Sequence, residues 1–148
     1  MKPFLVARLF AVAPIAFLQA GPSAMKIEPL QKTEVISGCG LAVSLSSAKG
    51  IEWPQVFGYY NNNEDGFIRV NGQLHRLRMK GFKQTRKNSH GSAIGDRTIE
   101  TWSDGNVTVE LDCKVSALEE EGVSIQGQLI VRIGSSKQSF YVKGSRGC

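Results

Sequence analysis

Three cysteines, two histidines and one basic, hydroxyl-rich segment hold what reactive chemistry this chain could perform. Cys39, Cys113 and Cys148 allow one internal disulfide and leave one thiol over. No Cys-X-X-Cys spacing is present, so a redox-active pair is not expected. His75 and His90 are too few for a His-Glu-X-X-His helix or a clustered metal site. His90 stands beside Ser89 and Ser92, yet neighbours in a loop do not by themselves form a hydrogen-bonded nucleophile and base. A Gly-X-Ser-X-Gly elbow is absent, because Gly91 directly precedes Ser92. Glu119, Glu120 and Glu121 read as a solvated turn, and the sequon Asn106-Val107-Thr108 as incidental at a strand start. The expectation is a protein that is not an enzyme and uses no cofactor and no metal.

Charge offers a second kind of chemistry, and it is unevenly spread. Between His75 and Ile99 seven Lys or Arg face one acid, whereas Glu100 to Val131 holds seven acids and Lys114 alone. The basic stretch contains the candidate binding loop Lys80 to Asp96, with Lys83, Arg86, Lys87, Ser89, His90 and Ser92. Arg69, Arg76 and Arg78 form a candidate basic face on the hairpin just before it.

Those residues must be positioned by strands. After a polar lead-in the pattern has period two almost throughout, the signature of half-buried strands. Cys39, Leu41, Val43 and Leu45 alternate with small residues, and Pro54 demotes the start of the Glu52–Tyr60 stretch to an edge or bulge. Gly66 to Lys80 reads as a hairpin about Asn71-Gly72, a dipeptide suited to the type I′ turn. That turn pairs Val70 with Gln73, Arg69 with Leu74 and Ile68 with His75. Ile68, Val70, His75, Leu77 and Met79 then face the core, and Phe67, Arg69, Leu74, Arg76 and Arg78 face out. Val107, Val109, Leu111, Cys113 and Val115 form a further inward row, as do Val123, Ile125, Gly127, Leu129, Val131 and Ile133. About eight strands and no helix follow the leader, which predicts an all-β, single antiparallel barrel, with a two-sheet sandwich as the alternative. In an even-stranded barrel Cys39 and Cys148 fall at one end of neighbouring strands. That favours a Cys39–Cys148 disulfide across the closing seam over a pairing with Cys113.

The first 24 residues have a different character. Lys2 and Arg8 precede the apolar run Leu9–Leu18 and the small-residue stretch Gln19–Ala24, the layout of a cleaved signal peptide. Ala20 is an alternative last residue. The run is about half the length a membrane span needs, so no transmembrane anchor is expected. Ile36-Ser37-Gly38-Cys39 has lipobox residue types, but charged residues separate it from the apolar run. The organisation is thus a signal peptide at 1–24, a polar segment at 25–37 and a β-domain at 38–148. Removing Lys2 and Arg8 lowers the formal charge from +5 to +3, no basis for nucleic-acid binding. Such a leader directs the mature chain to the periplasm or outside the cell, where disulfides persist.

Gly91-Ser92-Ala93-Ile94-Gly95 and then Thr101-Trp102-Ser103-Asp104-Gly105-Asn106 resemble the central part of bacterial C-type-lysozyme inhibitors. The similarity covers about 20 residues, with Gly95-Asp96 where those proteins carry a tyrosine. It implies a small envelope β-barrel in which Ser92 enters the lysozyme cleft and the acidic strand Glu100 to Asp112 faces a basic enzyme. The residues and the resemblance together predict an exported, non-catalytic binding protein. Its partner is a protein target, as for an inhibitor or immunity protein, or an anionic envelope ligand held by the basic face.

Overall fold

Alternation from Gly40 onward is realised as strands that each pair with the next along the chain. The computed structural model describes residues 24–49, 54–62, 64–87 and 91–148; the expected leader, apart from Ala24, lies outside them. Among these residues there are nine strands: β1 (Ile27–Glu28), β2 (Gly40–Leu45), β3 (Gln55–Tyr60), β4 (Asp65–Val70), β5 (Gln73–Thr85), β6 (Arg97–Ser103), β7 (Val107–Glu119), β8 (Gly122–Ile133) and β9 (Ser136–Gly147). All are antiparallel to their neighbours. β2 to β9 follow one another around a ring, β9 returns to β2, and β4 pairs with β5, so the ladder closes. The result is the expected eight-stranded barrel, with β1 lying outside the ring on β4. An unbroken ladder leaves no place for a two-sheet sandwich.

The inward rows fill the barrel. Leu41, Phe57, Ile68, Leu77, Trp102, Val109, Leu111 and Leu129 are all essentially inaccessible to solvent, and Cys113 is buried among them. Eight strands enclose a lumen that side chains can fill, which leaves little space for an internal ligand. The β4–β5 hairpin has the expected register, and Asn71 and Gly72 take φ values of 50° and 82°, as a type I′ turn requires.

At the seam Gly40 pairs with Gly147, which sets Cys39 beside Cys148, and these two form the disulfide. Their end of the barrel also carries the 120–121 turn, the connection from β3 to β4 and the loop residues between β5 and β6. The chain between Met25 and Ser37 is more than a polar lead-in: Met25, Ile27, Leu30 and Ile36 are buried. This strap crosses the outer wall, where Leu30 donates its N–H to the Gln55 carbonyl and the Gln55 side chain bonds both backbone groups of Ile36. Gly58, facing outward, makes room for it, since a Cβ there would stand 2.6 Å from the Ile36 side chain.

The largest departure from expectation lies at Lys80 to Asp96. Residues Lys80 to Thr85 are not loop but the second half of β5, paired with β6 down to Thr85↔Arg97. A bulge between Met79 and Gly81 shifts the alternation, and neither face of this extension is covered, so the half-buried pattern disappears. Only 86–96 is loop. Met79, expected in the core, keeps its register opposite inward-facing Trp102 but is 39% exposed, because β4 pairs with β5 only as far as Arg78 and leaves it uncovered.

Candidate functional site

Polarity inside the barrel is concentrated at one cluster. Thr98, Glu100 and Trp102 are the inward residues of β6, and Glu100 has no solvent contact. Tyr59 of β3 donates its hydroxyl to Glu100 Oε1 at 3.0 Å, and Trp102 Nε1 donates to Oε2 at 3.4 Å. From β9, Arg146 Nη2 reaches across the lumen to Oε1 and to Thr98 Oγ1. Burial pushes the Glu100 carboxyl above its ordinary value, while the Arg146 guanidinium and the donated hydrogen bonds pull against that rise. Burial, with the Glu100 charge beside it, also raises Tyr59, which therefore remains a neutral donor. Cys113 is pushed up to about 12 by burial, so its thiol is not a nucleophile at neutral pH. These groups form one hydrogen-bonded network inside the barrel, in which buried Arg146 Nε is left without a partner.

The neighbouring wall is open. β4 pairs with β5 only as far as Asp65↔Arg78, whereas β5 runs on for seven residues, Met79 to Thr85. A cleft of about 560 Å³ occupies the resulting gap, lined by Tyr59, Tyr60, Met79, Gly81, Phe82 and Trp102, together with Lys80 and the ion pair Arg78–Glu64. The Tyr59 and Trp102 rings lie 4.8 Å apart at its floor. Phe82 is 50% exposed on the part of β5 that overhangs β4, which with its partner β6 forms the arm of the β5–β6–β7 sheet, and Ile94 is exposed on the loop beyond it.

The loop base is well anchored. Asp96, nearly inaccessible, accepts the N–H groups of Lys87 and Ala93 at 2.8 and 2.9 Å, which holds its carboxyl below the ordinary value. Backbone bonds between Gly95, Asp96 and Val115 tie it to β7. Lys83 lies on β5, and Arg86, Lys87 and Ser92 are exposed on the loop. Ser89 and His90 lie outside the described residues. No His–Ser pair can therefore be assigned.

Arg69, Arg76 and Arg78 share the outer face of the hairpin, but each has a carboxylate. Arg69 grips Glu34 of the strap, Arg76 binds Asp65 (Nε to Oδ2, 2.6 Å), and Arg78 pairs with Glu64 at 3.3 Å. The guanidinium of Arg69 lowers the Glu34 carboxyl. The face is thus internally neutralised, a fact hidden from sequence because Glu34 lies 35 residues away. His75 is half-buried at the other barrel end, its Nδ1 2.9 Å from Asp104 Oδ2. Asp104 also caps the β6–β7 turn through the Asn106 and Val107 N–H groups. Glu119 ends β7, Glu120 and Glu121 form the turn after it, and all three are exposed, as is Asn106 on the β6–β7 turn.

Sequence reasoning missed Glu100 and Arg146. Their signal was parity: Glu100 stands two residues before Trp102, and Arg146 four after Val142, both in inward rows. Being fully inside, Glu100 cannot belong to an acidic surface facing another protein. Among the described residues no three His, Cys, Asp or Glu gather to hold a metal, and no helix is long and apolar enough to cross a membrane.

Fold and surface together define a closed antiparallel barrel with a filled lumen and an overhanging edge, where β5 runs on beyond the end of β4. No protein family, curated protein or solved structure matches the chain.

Proposed function

We propose that the chain is an exported, non-catalytic binding protein that engages a protein target through the β5–β6 arm. The observation that carries this reading is the arm itself. It presents the exposed apolar groups Met79, Phe82 and Ile94 among Lys80, Lys83, Arg86 and Lys87, while Arg69, Arg76 and Arg146 are each paired with a carboxylate of the barrel or strap. Apolar anchors within a polar rim are the usual make-up of a protein-binding patch. The cross-seam disulfide supports export, since such bonds persist in oxidising compartments. An anionic envelope ligand on Arg69, Arg76 and Arg78 is less well supported, because all three already have carboxylate partners.

The test is affinity capture from an envelope extract with the mature wild type and with the Phe82→Ser/Ile94→Ser variant. A target held by the wild type and lost by the variant, at unchanged melting temperature, is expected. Equal capture by both overturns the reading. Resemblance to lysozyme inhibitors makes a C-type lysozyme one specific target, with Ser92 exposed on the loop. A turbidity assay at micromolar excess should then show inhibition that Ser92→Trp abolishes, and no inhibition removes lysozyme as the target.

A further inference from the structure

We infer that the outer edge of β5 from Met79 to Thr85 binds an extended acidic peptide segment of the target by β-strand addition. This rests on the arm being the binding element. From Met79 to Thr85 the strand is paired with β6 on one side and, among the described residues, with no strand on the other. Alternate residues of a strand present N–H and C=O to each side, so this edge offers a ladder about 23 Å long at ~3.3 Å per residue. Natural sheets cover or blunt such edges, because an open one recruits another strand.

Three further observations say what fits there. The cleft runs alongside the edge and is floored by the Tyr59 and Trp102 rings, so it can receive the side chains of one face of an added strand. Gly81 has no side chain, and a Cβ at that position would find nothing nearer than 3.9 Å, so another backbone can approach closely. Lys80 and Lys83 flank it, both exposed and neither in an ion pair among the described residues. Like charges repel a second copy of this edge but complement a strand carrying Asp or Glu. Charge and pairing geometry together select an acidic peptide rather than a lipid surface or a glycan, which offers no N–H and C=O ladder.

The probe is a capped heptapeptide alternating Glu and Val, compared with its Lys–Val counterpart and with a Glu–Val peptide N-methylated at alternate residues. Backbone hydrogen exchange of the full-length mature protein is followed with each. The acidic peptide should slow alternate amides between Lys80 and Thr85 by about tenfold or more, while the basic peptide leaves them unchanged. N-methylation on the pairing edge should abolish the protection. Absence of acidic-peptide binding at about 1 mM, equal binding of the basic peptide, or binding without protection of these amides overturns the inference. If target capture still depends on Phe82 and Ile94 in that case, the arm remains the binding element and only strand addition fails. If capture ignores the arm, both fall.

Discussion

Replacing Arg146 with methionine removes the guanidinium bonded to a carboxylate that has no solvent contact. Breaking a buried pair by deleting one partner costs about 3–5 kcal/mol. An independent route gives a similar figure. Without Arg146 the folded state must hold Glu100 protonated, and the ordinary carboxyl value is 4.5. Neutralising such a group at pH 7 costs about 3.4 kcal/mol, at ~1.36 kcal/mol per pH unit. At pH 5 the same cost falls to about 0.7 kcal/mol. The sign follows from proton binding: between 4.5 and the raised native value the folded chain keeps a proton that the unfolded chain releases. Stability contributed by Glu100 is therefore present at low pH and lost as pH rises. Urea unfolding followed by tryptophan fluorescence at pH 5, 6 and 7, taken as variant minus wild type, should show a deficit that widens with pH. The Glu100→Met/Arg146→Met double variant should recover most of the loss and flatten the dependence, as expected when apolar groups replace a buried pair. A deficit of equal size at pH 5 and pH 7 would refute the reasoning, because the guanidinium would then contribute only packing.

Reduction of Cys39–Cys148 releases a constraint spanning 109 residues, which the loop-entropy model values at about 4–5 kcal/mol; the urea midpoint with and without dithiothreitol measures it. Cys113, pushed up to about 12 by burial, should resist iodoacetamide at pH 8 in the native protein and take up one equivalent only after unfolding under non-reducing conditions, as intact mass reports. Gly58→Val drives a side chain into Ile36 and should cost about 1–3 kcal/mol. It should also free the strap, so limited trypsin digestion should cut at Lys32 faster than in the wild type.

Most of the barrel was legible because its strands are half-buried, and period two reports that condition directly. The rows Val107–Val115 and Val123–Ile133 lie inside as their alternation requires, and Asn71-Gly72 fixed the β4–β5 register by turn chemistry alone. Legibility failed where burial and polarity part company. Lys80 to Thr85 is strand without a covered face, so its sequence resembles a loop even though its ladder to β6 is intact. Met25 to Ile36 shows the converse: four apolar residues spaced irregularly through a polar segment are buried by a strap that has only two residues in a strand. Glu100 and Arg146 were obscured for a third reason, since their charge argued for the surface while their parity argued for the interior. The ion pairs of the arginine face could not be read locally, because Glu34 reaches Arg69 only after the strap has folded back.

The buried pair and the open edge meet at two side chains. β4 begins only at Asp65, so the wall opposite Met79 to Thr85 lacks a strand, and water would enter the lumen there unless side chains filled the gap. Tyr59 and Trp102 fill it, and each turns its polar tip inward to Glu100 while its ring forms the cleft floor. An apolar filler could exclude water equally well but could not fix the orientation of both rings. A carboxylate accepting from both, and held by Arg146 from the opposite wall, does fix them. The desolvation cost of a charge inside the barrel is thus tied to a defined surface outside it. Loss of Arg146 should therefore loosen the cleft floor before it unfolds the barrel, and binding at the β5 edge should weaken at pH values where the fold is still intact.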